Sequence, residues 1–258
     1  MMKLPTNSFK HAIAQGKPQV GIWNSLCSNI AADVLASAGY DWALLDMEHS
    51  PNDFRTVLGQ LQAYENGHTI PIVRPAWNDA VLVKRLLDLG APGLLFPMVQ
   101  SVEEAEQAVA STRYPPRGNR GVSMSQRGNR FGRVDDYFER VEAETCVLVQ
   151  IETEAALSRV GGIAAVDGVD GIFFGPADLA ADKGLLGQVA SEDLWSAIAQ
   201  GAEAARQAGK PVGTLVGHHD KAVQLFRDGF SFVACGSDLN LLVRSADAQL
   251  ASIREALE

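Results

Sequence analysis

Two carboxylates stand just beyond apolar runs: Glu152 after VLVQI at 147–151, and Asp178 after GIFFGPA at 171–177. On neighbouring strands their backbones would lie about 5 Å apart. Both acids could then chelate one cation and leave positions open to substrate and water. All-oxygen ligation favours a hard divalent ion, Mg2+ or Mn2+, with Co2+ and Zn2+ less favoured. The plainer alternative is two solvated or salt-bridged acids at strand ends. His49 follows ALLDME at 43–48. Imidazole exchanges a proton near neutral pH and suits a general base, although a loop histidine is more often structural. Arg74 closes IPIVR at 70–74, where a guanidinium is costly unless it meets an anion. That anion is either a barrel acid such as Asp46 or an oxyanion developing on substrate. Trp23, Asp46, Glu48 and Gln150 occupy comparable run ends, Trp23 as a substrate contact. In Gly175-Pro176-Ala177-Asp178, backbone N–H groups of Gly175 and Ala177 could meet a substrate carboxylate, Pro176 having none to give. His218 and His219 read more simply as the polar start of a helix.

These residues are useful only if one scaffold brings them to one rim. Eight strands are expected at Gln19–Trp23, Trp42–Asp46, Thr69–Arg74, Gly93–Pro97, Cys146–Glu152, Gly171–Gly175, Pro211–Val216 and Phe232–Gly236. Several are apolar at consecutive positions, as strands buried on both faces should be. Amphipathic stretches separate them: Asn29–Ala38 ending at Gly39, a helix capped by Asp79 and ending at Gly90, Ser191–Ala208, and Asp238–Leu257. Eight strand–helix units over 258 residues fit one α/β domain, a (β/α)8 barrel spanning 1–258, since such barrels take about 250 residues. A doubly wound open sheet would advertise a glycine-rich turn after its first strand, and that turn reads NSLCSN. Catalytic groups in a barrel sit at the C-terminal strand ends. Trp23, Asp46, Glu48, His49, Arg74, Gln150, Glu152 and Asp178 all fall there.

Composition removes several functions. A net charge of −9 gives no basic surface for nucleic acid or anionic membrane, and no stretch approaches the ~20 apolar residues of a membrane span. The opening residues lack a secretory apolar run, and three scattered cysteines suit a reducing compartment, so the expected location is cytoplasmic. A Schiff-base mechanism needs a barrel lysine, yet Lys3, Lys10, Lys17, Lys84, Lys183, Lys210 and Lys221 all lie outside the strands and their tips. The loops after the seventh and eighth strands, VGHHDK and CGSDLN, place Asp238 where a phosphate would want no anion. One stretch, 114–144, is irregular and holds Arg117, Arg120, Arg127, Arg130 and Arg133. It is either a solvated loop or subunit contact, or a lid whose arginines meet an anionic substrate.

The segments GIWNSL (21–26), DWALLDMEHSPND (41–53), VRPAWND (73–79), LLDLGAPGLLFPMVQ (86–100), RYPPRGNRGVS (113–123), VLVQIET (147–153) and GVDGIFFGPADLAADKG (168–184) resemble, in order, the HpcH/HpaI family of class II aldolases. The resemblance implies metal-dependent, reversible cleavage of a 4-hydroxy-2-oxo acid into pyruvate, or a related 2-oxo acid, and an aldehyde. It carries the metal ligands onto Glu152 and Asp178, the base onto His49 and the keto-oxygen arginine onto Arg74. Asp88 takes the place of an aspartate that partners the base across a subunit boundary. Asp46 and Gln150 fall on positions organising the metal's water shell, and Gly175 and Ala177 on the carboxylate donors. The family implies a homo-hexamer of paired trimers with the last helix exchanged. The rival enzyme is a CoA-ester lyase of the citramalyl or malyl type; the non-enzymatic rival is a metabolite-binding barrel.

Overall fold

A computed structural model describes residues 2–258. Eight parallel strands pair in chain order and close on themselves, which excludes the open sheet. They are β1 Gln19–Asn24, β2 Trp42–Asp46, β3 Ile70–Arg74, β4 Gly93–Phe96, β5 Cys146–Ile151, β6 Gly171–Phe174, β7 Val212–Val216 and β8 Phe232–Ser237. Each lies within one residue of its expected bounds.

Alternation along the strands divides the core in two. Trp23, Trp42, Leu44, Ile72, Leu95, Leu148, Phe173 and Phe232 fill the barrel interior. Their neighbours Ile22, Ala43, Leu45, Val73, Phe96, Val149 and Phe174 face the surrounding helices. The interior leaves no spare space. A Cβ on Gly21 would come within 2.2 Å of the Trp42 ring, so that strand position has to be glycine.

The bottom of the barrel is closed by a helix absent from the sequence reading. Ser8–Ala14 is capped by Asn7, whose Oδ1 accepts from the Lys10 N–H at 3.0 Å. The helix inserts Phe9 and Ile13 into the interior cluster, with Phe9 edge-on to Phe232 at 5.8 Å between ring centres. At seven residues it shows too few turns for periodicity to reveal it.

Elsewhere the capping signals work as read. Asp79 accepts from Val81 and Leu82 N–H, both at 2.9 Å, starting the helix Ala80–Asp88. His218 stands just before the helix His219–Arg227 and makes no side-chain capping hydrogen bond. Asp238 accepts from the Ser25 and Leu26 N–H groups, tying the loop after β1 to the start of the last helix. That helix, Asp238–Leu257, buries only its first residue and exposes Leu239, Leu241, Leu242, Val243, Leu250, Ile253 and Leu257.

The stretch 114–144 contains a short 3-10 turn at Arg127–Asn129 and a helix at Tyr137–Glu144. It lies at the N-terminal end of the barrel, beside Thr69, Pro92 and Thr145 at the strand starts. Within one chain it is therefore no lid over the C-terminal rim.

Candidate active site

Register brings the first pair together. Asp46 and Arg74 are direct partners across β2 and β3, and both point into the barrel mouth. Arg74 Nε donates to Asp46 Oδ1 at 2.9 Å and Nη2 donates to Oδ2 at 2.8 Å, a two-toothed fork buried from solvent. The salt bridge read as one alternative for Arg74 is thus present. Arg74 Nη1 also stands 2.8 Å from Glu48 Oε2, an ion pair outside hydrogen-bonding alignment. A guanidinium has five N–H groups. With these contacts made, one on each Nη remains for another acceptor.

Trp23 is buried behind this pair. Its ring centre lies 4.9 Å from the Arg74 guanidinium carbon, and its Nε1–H donates to Asp46 Oδ2 at 3.2 Å. The ring rests in turn on Phe173. Trp23 therefore fixes the arginine from beneath, rather than standing open at the rim.

Asp46 also accepts from the backbone N–H groups of Glu48 (3.0 Å) and His49 (3.3 Å). Burial alone would raise its carboxyl. The hydrogen bonds and charge of Arg74, with Trp23 and the Glu48 N–H, outweigh burial and hold it below the usual carboxylate range. Asp46 was expected to face a metal's water shell. Its oxygens hold Arg74 and pin the loop that carries His49. The His49 side chain is 63% exposed, with Nε2 3.9 Å from Glu48 Oε2.

The second group comes from β5, β6 and the loop after β4. Glu152 is buried, and its Oε2 accepts from the Met98 N–H at 2.8 Å. Its Oε1 accepts from Gln150 Nε2. Burial, reinforced by the charges of Glu48 and Asp178 and opposed by the Met98 N–H and Arg74, pushes the Glu152 carboxyl up to about 8. Burial likewise raises Glu48, against the pull of Arg74 and His49 and with added repulsion from Asp46 and Asp178. Glu48, Glu152 and Asp178 thus repel one another in one pocket. Gln150 Oε1 is buried without a hydrogen-bond partner among the described residues.

Gly175 differs from its expected part. Its N–H donates to the Ile151 carbonyl at 3.0 Å and is not available to substrate. Its value lies in the missing side chain, since a Cβ would come within 2.7 Å of Glu152 Oε1 and 2.9 Å of Gln150 Nε2. The exposed first turn of the helix Pro176–Asp182 carries Ala177 and Asp178. The Ala177 N–H has no helical acceptor there.

Two residues with a part in this geometry had no assigned role. Glu48 touches Arg74 directly, and Met98 reaches Glu152 through its backbone at φ +52°. Nothing in the side chain of Met98 signals a backbone contact. Asp88 lies apart, at the far end of the helix Ala80–Asp88, where Arg120 Nη2 donates to it at 3.0 Å.

The family model described as HpcH/HpaI aldolase/citrate lyase matches residues 19–245. The chain belongs to the HpcH/HpaI aldolase/citrate lyase family. It is 50% identical over 243 residues to a 4-hydroxy-2-oxo-heptane-1,7-dioate aldolase of Klebsiella pneumoniae, covering 94% of this chain and 92% of that protein. It is 49% identical over 247 residues to a pyruvate aldolase of Rhizobium etli, covering 96% and 97%. Among solved structures, an HpcH/HpaI aldolase/citrate lyase family protein from Burkholderia cenocepacia superposes with a TM-score of 0.93 at 40% identity, over 96% of this chain and all of that one. The HpcH/HpaI frame therefore covers the barrel and every rim residue described above.

Proposed function

We propose that the protein is a metal-dependent aldolase that reversibly cleaves 4-hydroxy-2-oxo acids into pyruvate, or a related 2-oxo acid, and an aldehyde. The carrying observation is the buried Glu152, pressed by Glu48 and Asp178, beside an unpartnered Gln150 Oε1 and within the field of Arg74, an arginine with N–H groups to spare. The names of the Klebsiella and Rhizobium relatives support the same chemistry.

The donor set fits a hard divalent cation. Three mutually repelling carboxylates and an orphaned amide oxygen form a pocket that a positive charge stabilises. No group of three or more histidine, cysteine, aspartate or glutamate side chains is arranged to hold a metal among the described residues. Two ligands, Glu152 and Asp178, would leave most of the coordination shell to substrate and water, with Gln150 ordering that water. Mg2+ or Mn2+ bound there supplies Lewis acidity to the 2-oxo acid.

The chain's own groups divide the remaining work. Arg74 donates its spare N–H groups to the C2 oxygen, where negative charge grows as the C3–C4 bond breaks. Asp46, Glu48 and Trp23 fix the direction of that guanidinium. His49 takes the proton of the C4 hydroxyl and returns one to C3 as pyruvate forms; in the reverse direction it receives a proton from C3 of pyruvate and delivers it to the new C4 oxygen. The Ala177 N–H donates to the C1 carboxylate.

Asp88 stands apart from His49 within one chain, so its proposed partnership with the base belongs to a neighbouring subunit. The apolar, uncovered face of Asp238–Leu257 supports a homo-hexamer of paired trimers with that helix exchanged. No helix among the described residues is long and apolar enough to cross a membrane. We place the enzyme in the cytoplasm because its three cysteines are free thiols.

A panel of 4-hydroxy-2-oxo acids assayed for pyruvate release tests the proposal. Release should cease in EDTA and return with Mn2+ or Mg2+, and acyl-CoA esters should fail to compete with pyruvate. A metabolite-binding barrel would release nothing under either condition.

Proton linkage gives an independent check. The folded Glu152 value lies above the ordinary glutamate value, so the metal-free fold binds this proton more tightly than the unfolded chain. That contribution is full below the ordinary range and is lost as pH rises toward about 8. Cation binding must expel the proton. Apparent affinity should rise roughly tenfold per pH unit up to about 8 and then level. Calorimetry in buffers of different ionisation enthalpy should count about one proton released near neutral pH. A metal affinity independent of pH between about 6 and 9 would contradict the assignment of Glu152.

A further inference from the structure

A buried cation lies at the opposite end of the barrel from the rim of the same chain. The Arg120 side chain is 0% exposed. Its Nη2 donates to Asp88 Oδ1 at 3.0 Å and to the Tyr137 hydroxyl at 3.3 Å, and its guanidinium lies over the Tyr114 ring at 4.6 Å. Nε and Nη1 have no hydrogen-bond partner among the described residues. Buried donors are almost always paired, and a charged one left without an acceptor is costly.

Arg120 borders a cavity of about 280 Å³ between the strand starts and the arginine-rich stretch. Its walls include Tyr64, Leu87 and Val141, and two further arginines, Arg127 and Arg130, line it. Those two share a single carboxylate, Glu65. The third acid of the neighbourhood, Glu144, is engaged by Arg140, His11 and the Asn7 N–H. Arg127 and Arg130 are thus occupied by Glu65, whereas Arg120 spends only Nη2 on its one acid, Asp88. Burial lowers the Arg127 value, with Glu65 opposing and Arg130 adding to the effect.

We propose that this cavity is a second ligand site, separate from the C-terminal rim, for a small organic monocarboxylate with an apolar body. One carboxylate suits the unused Nε and Nη1 of this single buried guanidinium. The carboxylate takes the free N–H groups of Arg120, and the body lies against Tyr64, Leu87 and Val141. Ligand pockets commonly combine such apolar walls with a few placed polar groups, and 280 Å³ is near the lower end of their size range.

Calorimetry on the full-length, Mn2+-loaded protein tests this with benzoate as the probe. Benzoate should bind saturably at one site per chain. Benzamide, its neutral counterpart, should bind at least roughly tenfold more weakly, because a charge-assisted contact is lost. Binding should survive both Arg74→Ala and EDTA, which remove the cationic groups of the rim. Arg120→Gln should weaken it by roughly tenfold or more. Arg120 also anchors its own loop, so the partly exposed Arg130→Gln serves as the second variant and should weaken binding several-fold without unfolding the chain. The proposal is overturned if benzoate fails to saturate, if its binding disappears with Arg74→Ala or EDTA, or if Arg130→Gln binds it as well as the parent protein.

Discussion

His49→Ala should keep the parent protein's affinity for Mn2+ and lose roughly 10²–10⁴-fold in kcat for retro-aldol cleavage, the usual cost of removing a positioned base. The two halves of this result have separate physical origins. His49 contributes no ion pair to Glu152, and its ring is largely exposed, so metal binding and stability have little reason to change. The chemical step does have reason. The His49 backbone N–H is bonded to Asp46, which is locked to Arg74, so the imidazole is carried on a loop fixed to the arginine proposed to meet the C2 oxygen. Cleavage needs proton removal from the C4 hydroxyl two carbons away, and His49 is the exposed base on that loop. Single-turnover kinetics should put the loss in the chemical step. Normal turnover by His49→Ala would falsify the assignment, and a loss of metal affinity would assign His49 to the cation instead.

The barrel was legible in the sequence for a simple reason. Strands buried on both faces read as continuous apolar runs, and their ends marked the rim before any distance was known. Register did the rest, since Asp46 opposite Arg74 follows once β2 and β3 pair as they do. What stayed hidden depends on backbone direction or on chain closure. The Gly175 N–H looked available because a glycine before a helix often binds anions. Only the β5–β6 pairing shows that the Ile151 carbonyl already takes it. Met98 touches Glu152 through its N–H, a contact that its side chain does not advertise. The N-terminal helix escaped because seven residues are too few for a periodic signal, although Phe9 and Ile13 complete the barrel interior. The arginine-rich stretch could be recognised as unusual, but a list of residues does not say which end of the barrel it covers.

Arg74→Ala should cost both rate and stability, and the two losses can be separated. Removing a donor that stabilises a developing oxyanion typically lowers kcat by roughly 10²–10³-fold. The same change strips the buried Asp46 and the half-buried Glu48 of their cation, since Asp46 loses both teeth of its fork and Glu48 loses its ion pair. Breaking a buried pair from one side typically costs about 3–5 kcal/mol, visible as a lower urea midpoint. The pH dependence should reverse as well. In the parent protein the Asp46 value is lowered, so its contribution is present above the ordinary carboxylate range and lost as pH falls through the folded value. Without Arg74, burial dominates, Asp46 holds its proton more tightly in the fold, and stability should instead decline as pH rises. Arg74→Lys separates charge from geometry. It restores a cation to Asp46 and should recover part of the stability. It lacks the planar fork that grips Asp46 while aiming N–H groups at substrate, so kcat should remain low. A lysine variant as active as the parent would mean that charge alone serves the C2 oxygen. The buried fork, with Trp23 beneath it and Glu48 beside it, would then be only structural.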